Sequence, residues 1–120
     1  MTKFSVFSYL YRDASNYKAY RQLLLEGTAS VADVEILRQQ FESGEFFIVE
    51  QLGIPVLYAE PWAFSSGPTA DDHVWHTFED LRAATADDMN LPTLGTVRSL
   101  VKKVSSVAVW NQRLSPHWDV

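Results

Sequence analysis

Hydrophobic and polar positions alternate from the start of the chain. Over residues 3 to 11, Phe4, Val6, Ser8 and Leu10 share one face of an extended segment, and Ser5, Phe7, Tyr9 and Tyr11 share the other. Successive side chains of a strand point to opposite faces. Large groups on both therefore predict a strand covered on both sides or central in its sheet. Arg12 to Asn16 reads as a turn, because Asp, Ser and Asn each bond their own local backbone. Residues 19 to 26 have helix-compatible composition, but the segment is short and ends at Gly27. The broad connection before it favours a second strand, antiparallel to the first.

The period then changes. Ser30 precedes a run in which Val34, Leu37 and Phe41 recur at helical spacing, with Val31 and Ile36 widening the stripe. Acids at Asp33 and Glu35 suit the positive end of a helix, and Gly44 follows as a stop, so the pattern predicts a helix over 31–43 with one face buried. Glu45 to Glu50 has strand composition, and Val56-Leu57-Tyr58 could add a short strand. Pro55 and Pro61 confine any strand between them to an edge. Residues 61 to 72 read as loop, anchored by Trp62 and Phe64. Residues 73 to 82 fit either period, and Val74, Trp75, Thr77 and Phe78 favour strand. Beyond Pro92, Thr93 or Thr96 could cap a helix over about 93–104, with Val97, Leu100, Val101 and Val104 inward. The end of the chain either docks or frays.

These elements predict one α+β domain over residues 1–120. Its sheet is small and mainly antiparallel, with the 31–43 helix on one face and a second helix near the C-terminus. The chain is long enough to bury a core without staples. Its seven Phe, five Tyr and four Trp supply much of that burial. A net charge of −5 argues against a nucleic-acid backbone as partner. The absence of cysteine excludes disulfides and thiolate chemistry and fits a reducing compartment. No apolar run approaches the ~20 residues of a membrane helix, and the first residues lack a signal-peptide core. The expectation is a soluble cytoplasmic protein that binds neither membrane nor nucleic acid.

Candidate chemistry concentrates in two places. Tyr11 to Lys18 packs cations, a carboxylate, an amide and phenols into one bend. Arg12 and Lys18 could hold an anion, Asp13 could orient Arg12, and Asn16 and Tyr17 could supply directed hydrogen bonds. The competing reading is a loop that satisfies itself. The second place is Asp71, Asp72, His73, His76 and Glu79. His73, His76 and Glu79 align only on a helix, and on a strand His76 faces away from the other two. The spacing matches neither a zincin nor an EF-hand loop, so no metal site is assigned. His76 with Asp80 is a weaker general acid-base candidate. No phosphate loop, dinucleotide fingerprint or nucleophile elbow occurs, and no cofactor is expected. The four tryptophans are core or interface residues by default, and several exposed together would mark a binding patch.

The stretch Phe7-Ser8-Tyr9-Leu10-Tyr11-Arg12-Asp13-Ala14-Ser15-Asn16-Tyr17-Lys18 resembles the opening of a group of small bacterial proteins with no assigned activity. In them a Tyr-Arg-Asp-Ala-x-Asn-Tyr-Lys segment follows the first strand. Gly44-Glu45-Phe46-Phe47-Ile48-Val49-Glu50 with Gly53-Ile54-Pro55, and Trp75-His76-x-Phe78-Glu79, are similar to their middle and later parts. The resemblance covers roughly residues 4 to 80 and implies no catalytic residue. The leading expectation is a non-catalytic protein-interaction module, binding a partner through aromatic residues and the loop at Arg12, Asp13, Asn16, Tyr17 and Lys18, with His76 nearby. The alternative is a small-molecule-binding protein or enzyme whose polar pocket joins the 11–18 and 73–80 segments.

Overall fold

The computed structural model describes residues 3–12, 18–55, 57 and 75–111. Strand β1 (Phe4–Arg12) is the middle of a five-stranded sheet, flanked by β2 (Lys18–Glu26) and β4 (His76–Ala83), both antiparallel to it. The two-residue β3 (Phe46–Phe47) closes the β4 side. Strand β5 (Thr93–Thr96) runs parallel to β2 at the other edge. The order β3-β4-β1-β2-β5 gives the mainly antiparallel α+β sheet that the alternation predicts.

The residues of β1 explain its central position. Phe7, Tyr9 and Tyr11 point to the inner face, and all three are fully buried. They meet Leu23 and Leu25 of β2, together with Leu37 of α1 (Val31–Gln40), Val49 and Leu52 of α2 (Val49–Leu52), and Val97, Leu100 and Val104 of α3 (Val97–Ser105). The inner face is thus the main core, roofed by helices. On the outer face Val6 and Leu24, paired in register, are also buried. The chain between β4 and β5 then leads into the β5 edge, where the Leu24 amide donates to the Pro92 carbonyl at 2.7 Å beside the Leu24–Thr93 pairing. Arg82, opposite Val6, reaches the 3-10 turn Ala86–Asn90 in that connection and grips Asp88 with both nitrogens, at 2.7 and 3.0 Å.

The predicted helix boundaries shift. Ser30 caps α1 as expected, in a reciprocal capping box with Asp33. The helix stops at Gln40 and not at residue 43, because Phe41 turns extended and inserts its ring between Phe47 and Phe78, at 5.1 and 5.4 Å. Ser43 and Gly44 then take positive φ, so the chain can reverse into β3. Glu45 to Glu50 is only briefly a strand before α2 begins. The C-terminal helix starts at Val97 with Thr96 as its cap, since residues 93–96 are drawn into the sheet by β2. Residues 76–83 form the strand that β-branched and aromatic composition favours. The predicted strand at 56–58 lies outside the described residues except for Leu57, as does the loop at 61–72 with its Trp62 and Phe64.

Asp87-Asp88 reads in the sequence as an acidic lead-in to the last helix, but Asp88 is a buried partner of Arg82. That guanidinium, helped by the Thr85 amide, holds the Asp88 carboxyl well below the usual carboxylate range. A depressed folded-state pKa contributes stability above the unfolded value of about 4, and this is lost as pH falls below it. Asp88→Asn should therefore lower Tm at neutral pH. The gap from wild type should narrow as acid is added below about pH 4, checked by thermal melts across pH. A gap independent of pH would contradict this account of the pair.

Candidate functional site

The predicted polar residues separate on the two faces of the sheet. Arg12 and Lys18 stand directly opposite each other at the end of the β1–β2 ladder, both exposed, on the outer face. Asp13, Asn16 and Tyr17 lie outside the described residues. β4 runs beside β1, so the 11–18 and 73–80 segments do adjoin, and the Tyr11 and His76 rings sit 5.2 Å apart. Tyr11 and His76, however, belong to the inner face. One step along a strand reverses the side-chain direction, so Arg12 and His76 point to opposite sides.

His76 is fully buried, among Tyr9, Tyr11 and Phe47. Its Nε2 accepts the backbone N–H of Leu57 at 3.0 Å, which requires the lone pair of a neutral imidazole on that nitrogen. Nearby, the Tyr9 hydroxyl donates to the Pro55 carbonyl at 2.8 Å. The two side chains thus fix the chain that follows α2 against the sheet. Glu79, the extra residue at a bulge where β4 passes Ser8 and Tyr9, is exposed; it borders a shallow depression with Ser8, Tyr20 and Gln22. His73, Asp71 and Asp72 lie outside the described residues, among which no cluster of metal-ligating side chains is found. No helix among the described residues is long and apolar enough to cross a membrane.

A different set of residues does converge. Beyond the β3 edge, Phe46, Trp75 and Trp110, all half-buried, line an open cavity of about 530 Å³ with the exposed Glu42. Local structure fixes each wall. Glu42 and Phe46 exchange backbone hydrogen bonds at 2.8 and 2.9 Å across the turn after α1. Trp75 leads into β4. Trp110 sits on the strap that follows α3, and its Nε1 donates to the Gln40 carbonyl at 2.8 Å. The Gln40 side chain bonds the Val107 carbonyl of the same strap, and Gln51 holds it through the Val109 carbonyl and the Asn111 amide. Against Phe41 the Trp110 ring packs at 6.0 Å. The groove is therefore a built feature of the fold, lined by three half-buried aromatic side chains and one exposed carboxylate.

Sequence reasoning misses this grouping, because Trp75 and Trp110 come together only through the α3 strap. The one signal was that tryptophans exposed together would mark a patch; Trp62 and Trp118 lie outside the described residues. Compared with known proteins, the chain matches no family model, no curated protein and no solved structure.

The imidazole at position 76 is placed to support backbone, and its replacement tests this. His76→Phe keeps a ring but removes the acceptor, leaving the buried Leu57 amide unpaired. Urea unfolding should show a loss of about 1–3 kcal/mol with an unchanged m-value. Stability equal to wild type would contradict the assignment.

Proposed function

We propose that this chain is a non-catalytic protein-interaction module, working in the cytoplasm, whose binding site is the groove of Phe46, Trp75, Trp110 and Glu42. The carrying observation is the convergence of two tryptophans and a phenylalanine on one open, rigidly held cavity. Aromatic anchors partly open to water are the residues that dominate binding energy at protein interfaces. A rigid wall also loses little conformational freedom when a partner arrives. The polar end of the sheet at Arg12 and Lys18 belongs to the same proposal as a flanking contact, and the resemblance to the small bacterial group carries no activity that conflicts with it. The alternative, a small-molecule site or enzyme joining the 11–18 and 73–80 segments, has less support. His76 is spent on a backbone amide, and Arg12 points to the opposite face.

Photo-crosslinking tests the module reading. A benzophenone amino acid placed at Glu42 should trap a defined partner polypeptide in extracts of the source cell, whereas the same probe at the exposed Tyr20 should not. The purified partner should bind the wild-type chain, and Trp75→Ala should weaken that binding by about 2 kcal/mol or more at a temperature where circular dichroism shows the variant still folded. Equal trapping at both positions, or binding indifferent to Trp75, would overturn the proposal.

A further inference from the structure

The groove's own chemistry specifies what enters it. Three aromatic side chains line one cavity, and the only charged side chain among its described lining residues is the Glu42 carboxylate. Glu42 is exposed and makes no ion pair, since Arg82–Asp88 is the only such pair among the described residues. An anionic occupant would be repelled by the carboxylate. A purely apolar one would strip water from Glu42 without replacing its hydrogen bonds. A cation satisfies both the rings and the carboxylate.

The same part of the fold already uses this chemistry internally. Arg38, near the end of α1, holds its guanidinium 4.9 Å from the Phe78 ring centroid and donates to the Gly44 carbonyl. Arg38 makes no ion pair with Glu42, Arg82–Asp88 being the one pair between described residues. Beyond the groove, fifteen acidic residues against ten basic ones give a field that draws basic segments toward the surface.

Resting on the interaction-module reading, we infer that the groove receives a lysine or arginine side chain from a basic segment of a partner protein. The ammonium or guanidinium group lies over the Trp75 and Trp110 rings and pairs with Glu42. Phe46 closes the apolar side around the methylene stem, as long cationic side chains bury their stems while keeping the charged head near water.

Tryptophan emission of the intact chain, titrated with short synthetic peptides, reads this out. The probes are a peptide of alternating lysine and glycine, its norleucine counterpart of similar shape without charge, its glutamate counterpart, and tetramethylammonium as a free cation. The lysine peptide should saturate the signal at least about tenfold more tightly than the norleucine peptide. The glutamate peptide should not bind, and the free cation should be weaker than the lysine peptide. Glu42→Gln should cost the lysine peptide about fivefold or more, and Trp75→Leu should abolish the signal while Trp75→Phe retains part of it. Equal binding of lysine and norleucine peptides, or lysine-peptide binding unchanged by Glu42→Gln and Trp75→Leu, overturns the cationic occupant. If that happens while the crosslinked partner still requires Trp75, the module reading stands and this inference alone fails. Tetramethylammonium binding as tightly as the peptide also overturns it, in favour of a small free cation.

Discussion

The double burial of β1 is the constraint on which the rest of the structure depends. A strand with Phe7, Tyr9 and Tyr11 on one side and Val6 and Leu10 on the other cannot sit at an edge or face water. It needs a strand on each flank, which β2 and β4 supply, and a layer on each face. Helices α1, α2 and α3 form the inner layer. On the outer side, Arg82 beside Val6 ties the Ala86–Asn90 turn to the sheet through its ion pair with Asp88. Ser5 adds a further tie: its hydroxyl donates to the Gly27 carbonyl at 2.8 Å and accepts from the Ala29 amide at 3.0 Å, joining β1 to the turn that leads into α1.

This arrangement divides the aromatic residues into two populations. Those on β1, with Phe41, Phe47, Phe78 and His76, form a continuous cluster with ring centroids 5.1 to 6.2 Å apart. Their partners are one another and the helices, so their role is to hold the sheet together. Trp75 and Trp110 pack half-buried against that cluster, and with the half-buried Phe46 of β3 they line the groove. Rigidity from the first population gives the second a fixed geometry, and a fixed aromatic wall is what selective recognition of a side chain requires.

Much of this fold is written in local pattern. The alternation in residues 3 to 11, the Ser30 cap and the Val97, Leu100, Val104 stripe each name an element from its own residues. What escapes is non-local. Phe41 has helical spacing, yet Phe47 and Phe78 draw its ring into the core and end α1 early. Residues 93–96 look like the lead-in to a helix, but hydrogen bonds to β2, some seventy positions earlier, make them a strand. Asp88 has the sequence of a helix-dipole acid, and only the folding of the Ala86–Asn90 turn back onto Arg82 makes it a buried partner. The candidate site divides in the same way: the polarity of the Arg12 and Lys18 end is visible in sequence, whereas the groove exists only once the α3 strap docks on Gln40 and Gln51.

The central claim is that Trp75 and Trp110 form an open wall beside a carboxylate while the β1 aromatics are sealed. Collisional quenching of tryptophan emission tests it most directly, in a chain carrying Trp62→Phe and Trp118→Phe so that only these two indoles report. Relative to free tryptophan amide, caesium ion should quench this emission more effectively than iodide, because Glu42 concentrates cations at the groove. Emission shielded from both ions, or quenched preferentially by iodide, would contradict the account.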